Sequence, residues 1–221
     1  LTKIGQGYLS SSSSSSSSSL VLASVTACLS LSNLYADERQ SRFLPLALEQ
    51  ADAMRRLGAY EPVAYGVLRS SGDRVGIQEL EDYDHDGKFL DETYGGTEPW
   101  IERFVDYWSG DGTWRSMSAA AREAFTRSGR KLFEEVKDTC ADTTSHGDVA
   151  RLPVPTLVIS GADSRLSARR VCAVMAASNP TVKHIELEEG VHMSPLLSPL
   201  DVNDHFLAHI AAHEPSSPAN A

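Results

Sequence analysis

The C-terminal third of the chain alternates between short apolar runs and longer amphipathic stretches. The apolar runs at 156–160 and 182–187 have the length and composition of β-strands. The stretches at 168–177 and 202–210 are predicted to be helices. Strands that alternate with helices favour a parallel sheet with helices packed on its faces. The fold class predicted for the chain is therefore α/β, with a mostly parallel sheet.

The preceding part of the chain continues this alternation less regularly. Apolar residues at three- and four-residue steps predict a helix over 44–57, which Gly58 is placed to end. A short strand is predicted over 59–63. Few long apolar runs follow, so we predict a helix or turn near 75–80 and then a loop that continues to Gly96.

Two further helices are predicted in the middle of the chain. The first follows Thr97, a residue that can cap a helix, and has Pro99 in its first turn. It ends before Gly110. The second spans about 118–139, and Gly129 is expected to weaken its middle. The first helix carries one wide apolar stripe, which consists of Trp100, Ile101, Phe104, Val105 and Trp108.

An unbroken run of serine from Ser10 to Ser19 has no apolar face that could be buried. We therefore expect residues 1–43 to be a low-complexity, poorly ordered segment, with at most a short helix or strand near 20–34. Residues 44–213 are predicted to form one domain. The tail at 214–221, which contains proline and serine, is predicted to be disordered.

Composition and charge narrow the classes of function. The chain has 221 residues, of which 41% are apolar and 23% charged, and this composition is typical of a globular protein of one domain. Its formal net charge of -10 argues against binding to nucleic acid or to an anionic membrane surface, because both require clustered positive charge.

The cysteines and the N-terminal apolar segment indicate neither a disulfide-rich protein nor a transmembrane helix. Cys28, Cys140 and Cys172 are odd in number and far apart, so they form neither a disulfide framework nor a metal-binding motif. A cytoplasmic location is the default expectation. The apolar segment at 20–34 is shorter than the roughly 20 residues that span a bilayer. The first residue is Leu1 and not methionine, and we therefore expect the sequence to be a fragment.

Several short segments, taken in order, resemble the C-terminal half of bacterial α/β-hydrolase-fold proteins. They are 59–63 (Ala-Tyr-Glu-Pro-Val), 104–110 (Phe-Val-Asp-Tyr-Trp-Ser-Gly) with Trp114, 153–161 (Pro-Val-Pro-Thr-Leu-Val-Ile-Ser-Gly) and 190–193 (Gly-Val-His-Met). The resemblance covers roughly 44–213. It implies a partial α/β-hydrolase fold with the sixth strand, a helical cap at about 97–139, and the seventh and eighth strands.

The same resemblance assigns a chemical role to His192. It places this histidine on the loop after the last strand, where the family holds the general base of its catalytic triad. A carboxylate partner would fix the ring tautomer and stabilise the imidazolium. The alternative is an ordinary histidine on a surface loop.

Two residues are candidates for the carboxylate partner. Glu61, at the end of the sixth strand, matches the acid position of some relatives and is preferred. Asp163 follows the seventh strand, where the acid is more common, but it comes one residue early and Ser164 occupies the expected position. A structural alternative for Glu61 is that its carboxylate accepts hydrogen bonds from nearby backbone amides.

The nucleophile of the triad has no counterpart in the sequence. A nucleophile elbow requires small residues, usually glycine, two positions on either side of the serine. No glycine occurs between Gly7 and Gly58, and neither Ser32 nor Ser41 has the required neighbours. The chain is therefore expected to have little or no hydrolase activity.

Two tryptophans are candidates for substrate binding in the implied cap. Trp108 shares the apolar stripe with Trp100, so core packing is an alternative role for both. Trp114 follows two glycines and is expected to be freer to face a pocket.

No metal or other cofactor is expected. The segment 82–87 (Asp-Tyr-Asp-His-Asp-Gly) resembles the start of an EF-hand calcium loop. However, Thr93 occupies the twelfth position, where a bidentate glutamate is needed. A solvated acidic turn explains this segment better.

Two functional hypotheses follow. The first is an α/β-hydrolase-like protein that acts on a small apolar ester, lactone or similar molecule and is impaired by the missing nucleophile elbow. The second is a non-catalytic binding or interaction module on the same scaffold. Loss of the early strands would also expose a sheet edge, so self-association through that edge is expected.

Overall fold

The computed structural model describes residues 21–24 and 56–213, and these contain a four-stranded parallel sheet with strand order β1-β2-β3-β4. The strands are β1 (Val21–Ser24), β2 (Leu57–Tyr60), β3 (Thr156–Gly161) and β4 (Val182–Leu187). β2 pairs with β1 through Gly58 and Leu22, and with β3 through Gly58 and Leu157. The predicted α/β class and the strands near 156–160 and 182–187 are confirmed.

The described helices cover both faces of the sheet and form a cap above one end. They are α1 (Tyr65–Ser71), α2 (Arg74–Tyr83), α3 (Glu98–Ser109), α4 (Thr113–Ser116), α5 (Ala119–Cys140), α6 (His146–Ala150), α7 (Leu166–Ser178), α8 (Ser194–Leu197) and α9 (Pro199–Ala212).

The boundaries of several elements differ from the predictions. The strand predicted over 59–63 is found at Leu57–Tyr60. Arg56 is not helical, so the helix predicted over 44–57 cannot extend beyond residue 55, and residues 44–55 lie outside the described residues. Helix α1 was not predicted, because a seven-residue helix is too short to show a clear apolar period. Thr97 precedes α3 as predicted, but its hydroxyl donates to the Tyr94 carbonyl and does not cap the helix.

Side chains of the central strands alternate between two apolar layers. Leu57, Ala59 and Val158 pack with α1, α6 and α7, in a layer that also holds the buried residues Val67, Val149, Val171, Cys172 and Met175. On the opposite face, Leu157 and Ile159 pack against Val202 and Phe206 of α9. Because all residues of β2 and β3 are buried, these strands form the centre of the core.

The cap has an apolar core of its own, to which α3 and α5 contribute most. It contains Trp100, Ile101, Phe104, Phe133 and Val136 among its buried residues. Helix α5 continues without a break through Gly129, the residue predicted to weaken its middle. A Cβ atom at this position would lie 2.3 Å from the Gly96 carbonyl oxygen, so glycine allows α5 to approach the preceding loop.

Several sequence-based expectations concern residues that the structure does not describe. The serine tract, Ser32, Ser41 and the tail at 214–221 lie outside the described residues. Within residues 21–24 and 56–213, no helix combines the length and apolar character needed to cross a membrane.

The interaction between Asp73 and Arg170 joins α2 to α7 and gives a first test of the fold. Asp73 caps α2 by accepting a 2.8 Å hydrogen bond from the Gly76 amide, and its Oδ2 accepts from the Arg170 Nε at 2.9 Å. Its side chain is almost fully buried. The hydrogen bond from Arg170 holds the pKa of the Asp73 carboxyl below its usual value.

Replacing Asp73 with asparagine should separate the contribution of the ion pair to stability from that of the helix cap. Asparagine is an equally good N-cap, so Asp73→Asn is expected to cost ~0.5–1 kcal/mol of unfolding free energy. Asp73→Ala loses both interactions and is expected to cost ~1–2 kcal/mol. Because the folded-state pKa is lowered, the ion pair stabilises the protein above pH ~4 and is lost as the pH falls through that pKa. Urea unfolding should therefore show the Asn variant approaching wild type at acid pH, and a constant difference would contradict this interpretation.

Candidate active site

The candidate active site lies at the carboxyl ends of the parallel strands. Glu61 directly follows β2, Gly161 is the last residue of β3, and His192 lies on the loop between β4 and α8. Since the strands are parallel, these three positions meet at one edge of the sheet, where open α/β sheets generally bind their ligands.

The backbone of Glu61 has an unusual conformation. Its φ angle is 44°, and no other non-glycine residue in the described part of the chain has a positive φ. The turn is held by a 2.8 Å hydrogen bond from the Glu61 amide to the Ile159 carbonyl. A left-handed conformation is unfavourable for glutamate and costs on the order of 1 kcal/mol. Such strain is concentrated at functional sites, where the surrounding structure maintains it.

The carboxylate of Glu61 accepts hydrogen bonds through both oxygens. Oε1 accepts from the Gly161 amide at 2.8 Å, and Oε2 lies 2.7 Å from Nδ1 of His192. The Glu61 side chain is fully buried and that of His192 is 6% exposed. A buried carboxylate requires such partners, because desolvation without them would cost several kcal/mol. The structure therefore brings Glu61 and His192 together as one buried pair.

This pairing assigns the tautomer of His192. An ionised carboxylate can only accept hydrogen bonds, so the proton on the neutral imidazole must reside on Nδ1. The second ring nitrogen, Nε2, then carries a lone pair. The imidazole is thus prepared to accept a proton at Nε2, which is the state a general base requires.

Tyr60 fixes the backbone of the loop that carries His192. Its hydroxyl donates a 2.6 Å hydrogen bond to the Val191 carbonyl, and the Val191 amide donates to the Ser194 Oγ at 2.8 Å. Burial raises the pKa of Tyr60 well above its usual value, so this hydroxyl stays protonated and remains a donor. The end of β2 therefore positions both the ring of His192, through Glu61, and its backbone.

Asp163, the other acid candidate, occupies a different position. Its backbone amide donates a 2.9 Å hydrogen bond to the Gly190 carbonyl, and the residue is exposed. The carboxylate that lies against His192 is that of Glu61. Asp163 therefore contacts the histidine loop through its backbone amide, while its side chain is exposed.

A cavity of about 450 Å³ extends from His192 beneath the cap. Its wall is mostly aromatic and aliphatic, with contributions from α1, α2, α3 and α5. Cys140 also lines it, but burial raises the pKa of this thiol to about 11. The thiol is therefore protonated at neutral pH and is a poor nucleophile. The size and apolar wall of the cavity suit a small organic molecule.

Of the two tryptophan candidates for substrate binding, the structure places Trp108 at the cavity and Trp114 in the core of the cap. Trp108 lines the cavity, and its ring lies 4.3 Å from that of His192 with an interplanar angle of 31°. Trp114 is 3% exposed and packs edge-on against Phe125 in the core of the cap. Asp106 explains this burial, because its carboxylate accepts a 2.8 Å hydrogen bond from the Trp114 amide and folds the turn inward. The assignment of Trp114 to substrate binding is therefore corrected.

The acidic segment at 82–87 has structural partners. Asp84 accepts a hydrogen bond from the Phe89 amide at 2.8 Å, and Asp86 forms an ion pair with Arg103 at 2.9 Å. These contacts fix the turn that leads from α2 toward the cap.

Tyr60 and Gly161 were not predicted to be part of the site. The hydroxyl of Tyr60 gave no sequence signal, because an aromatic residue at the end of a strand usually indicates core packing. Gly161 was noted only as part of a resembling segment. A signal was available in its position, since a glycine at the end of a buried strand often marks a close approach between two backbones.

Comparison with solved structures identifies the architecture. An α/β-hydrolase enzyme from a Medee basin deep-sea metagenome library matches with a TM-score of 0.54 and 14% identity, over 83% of this chain and 66% of its own. An enol-lactonase from Burkholderia xenovorans matches with a TM-score of 0.52 and 17% identity, over 76% and 60%. A serine hydrolase involved in carbazole degradation matches with a TM-score of 0.53 and 12% identity, over 78% and 60%.

These similarities show a partial α/β-hydrolase fold. The chain spans less than two thirds of the length of each of these three solved structures, between 60% and 66%. No family model matches the chain, and neither does any curated protein. The predicted fold is confirmed, and the chemistry depends on the arrangement of the site itself.

Proposed function

We propose that the chain is an α/β-hydrolase-like protein whose His192 acts as a general base toward a small, apolar ester or lactone. The observation that supports this function most strongly is the buried pair of Glu61 and His192 at the wall of a cavity. One carboxylate oxygen is fixed by the Gly161 amide, so the other is directed at the ring.

In the proposed reaction, Nε2 of His192 removes a proton from the attacking hydroxyl group or water. The ring becomes an imidazolium, which the carboxylate of Glu61 stabilises through the Nδ1 hydrogen bond without taking the proton itself. The proton is later delivered to the leaving group. The apolar cavity wall strengthens this charge interaction by excluding water.

The rate is proposed to be low, because the sequence offers no glycine-flanked serine to serve as nucleophile. Water or another weak nucleophile would have to attack. General-base assistance alone contributes typically ~10²–10⁴-fold, far less than a complete triad with its oxyanion hole.

The alternative function is a binding module without catalysis. The combination of a formed cavity and cap with the missing nucleophile motif favours it. Under this alternative, the Glu61–His192 pair is a structural link between β2 and the loop after β4.

Hydrolysis of a series of p-nitrophenyl esters separates the two functions. The proposal predicts slow turnover by wild type that His192→Ala abolishes. His85→Ala is the matched control, because His85 is an exposed imidazole that could react with activated esters nonspecifically. Circular dichroism would verify that each variant is folded. Turnover that is absent in folded wild type, or that depends equally on His85, would support the binding module instead.

A further inference from the structure

The cavity wall contains an unbroken series of rings that leads to His192. In order along the wall, the rings belong to Phe104, Phe89, Tyr83, Tyr107, Trp108 and His192. Each ring contacts the next one in this series, which we call the aromatic wall.

The inner part of the aromatic wall is formed by Phe104, Phe89 and Tyr83. The rings of Phe104 and Phe89 are nearly parallel, with an interplanar angle of 7° and centroids 6.5 Å apart. Tyr83 meets Phe89 at 4.7 Å in an edge-on arrangement. The Tyr83 hydroxyl donates to the Arg103 carbonyl at 3.2 Å, so its polar group is already used.

The outer part of the aromatic wall connects Tyr83 to His192. Tyr83 and Tyr107 lie 3.9 Å apart, Tyr107 and Trp108 meet edge-on at 5.0 Å, and Trp108 lies 4.3 Å from the imidazole. A ligand beside His192 would therefore meet ring faces and edges on this side of the cavity, and aliphatic side chains such as those of Val63, Ile77 and Leu80 elsewhere on the wall.

We propose that this cavity binds a flat, neutral aromatic group of the substrate. This inference rests on the proposed function, which supplies the ester or lactone bond that reacts. The aromatic wall indicates what kind of group is attached to that bond. Flat rings can adopt the offset-stacked and edge-on contacts that aromatic pairs prefer, whereas a saturated ring of the same outline cannot.

The charges around the aromatic wall favour a neutral ligand over a cationic one. The guanidinium of Arg103 lies 4.9 Å from the centre of the Tyr83 ring, and that of Arg165 lies 4.1 Å from the centre of the Tyr107 ring. These two rings already stabilise a positive charge each. Arg69, Glu81 and Asp84 also line the cavity, so its wall holds charges of both signs. Each of these charges already has a partner: Arg69 donates to the Cys140 carbonyl, Glu81 forms an ion pair with Arg74, and Asp84 accepts from the Phe89 amide. A neutral ligand suits charges that are already paired within the protein.

A binding experiment with uncharged, non-hydrolysable probes tests the inference. Isothermal titration of the full chain would compare 2-naphthamide with decahydro-2-naphthamide, which has a similar outline but saturated rings. We expect wild type to bind the aromatic amide about tenfold more tightly, which corresponds to ~1.4 kcal/mol. Benzyltrimethylammonium serves as the cationic probe and is expected to bind more weakly than 2-naphthamide.

Two variants assign the preference to the aromatic wall. Trp108→Leu is expected to reduce the tenfold preference to about threefold, and Trp108→Phe should largely restore it. Tyr83→Leu is the second variant, in case Trp108→Leu does not fold. Equal affinity of wild type for both amides, absence of binding, or tighter binding of the cationic probe would overturn the inference.

The binding experiment and the ester assay can fail independently of each other. A preference for the aromatic amide without His192-dependent ester turnover would refute catalysis while retaining the binding specificity. Conversely, His192-dependent turnover without any preference for aromatic probes would retain catalysis and refute the aromatic specificity.

Discussion

Replacing Glu61 with glutamine is expected to lower the His192-dependent turnover of esters by about 10²- to 10⁴-fold. Glutamine has nearly the same shape, and its amide can still contact the Gly161 amide and the His192 ring. It removes the negative charge that stabilises the imidazolium. It also permits an NH₂ group to face Nδ1, which would favour the opposite tautomer and leave no lone pair at Nε2. The measurement is kcat/KM for the best p-nitrophenyl ester.

Asp163→Asn is the matched control for Glu61→Gln. It removes a carboxylate from the neighbouring loop, but the side chain is exposed and the backbone hydrogen bond to Gly190 is retained. This variant is expected to have wild-type kcat/KM. A loss of turnover in Asp163→Asn, together with normal turnover in Glu61→Gln, would show that the acid has been assigned to the wrong residue.

Gly161→Ala is expected to have the largest effect on stability, ~3 kcal/mol of unfolding free energy. A Cβ atom at this position would lie 2.1 Å from the Gly190 carbonyl oxygen and 2.7 Å from the Val191 amide nitrogen. Both are backbone atoms, so the clash cannot be relieved by rotating a side chain. The histidine loop would have to move away from β3. Thermal unfolding should show a decrease in Tm of roughly 6–12 °C for a domain of this size.

A glycine in an open position provides the control for Gly161→Ala. In Gly147→Ala, the new Cβ atom would lie 3.5 Å from the Ser145 Oγ, an ordinary contact within α6. Alanine favours a helix and restricts the unfolded chain, so this variant should be stabilised by ~0.4–1 kcal/mol. Equal Tm values for the two variants would contradict the proposed close approach of Gly161 and Gly190.

The C-terminal elements could be predicted well because their apolar patterns are long and regular. The strand predicted over 182–187 has those bounds in the structure, and the helix that follows Thr97 is found at Glu98–Ser109. Helix α1 was missed because its apolar residues occupy only seven positions. Short elements are defined by the surfaces against which they pack, and a single sequence does not contain that information.

The two polar residues of the site were easier to select from the sequence than the residues of the cavity wall. Glu61 and His192 were selected because the segments at 59–63 and 190–193 resemble segments of α/β-hydrolase-fold proteins. The orientation of the tryptophans was not predictable, because it depends on Asp106, which folds the turn before Trp114 through a hydrogen bond to that residue's amide. Trp108 lies near the end of α3, and its ring packs against that of His192. Helical spacing alone does not indicate which residue of another element a side chain will contact.

The most direct test of the account is the protonation pattern of the His192 ring in solution. Long-range ¹H–¹⁵N NMR spectra of the labelled chain at neutral pH, with His192→Ala used for assignment, would identify the protonated nitrogen. The account predicts a ring protonated at Nδ1, with a downfield proton that is protected from exchange and is lost in Glu61→Gln. A His192 ring protonated at Nε2, or an Nδ1 proton that Glu61→Gln leaves unchanged, would contradict it.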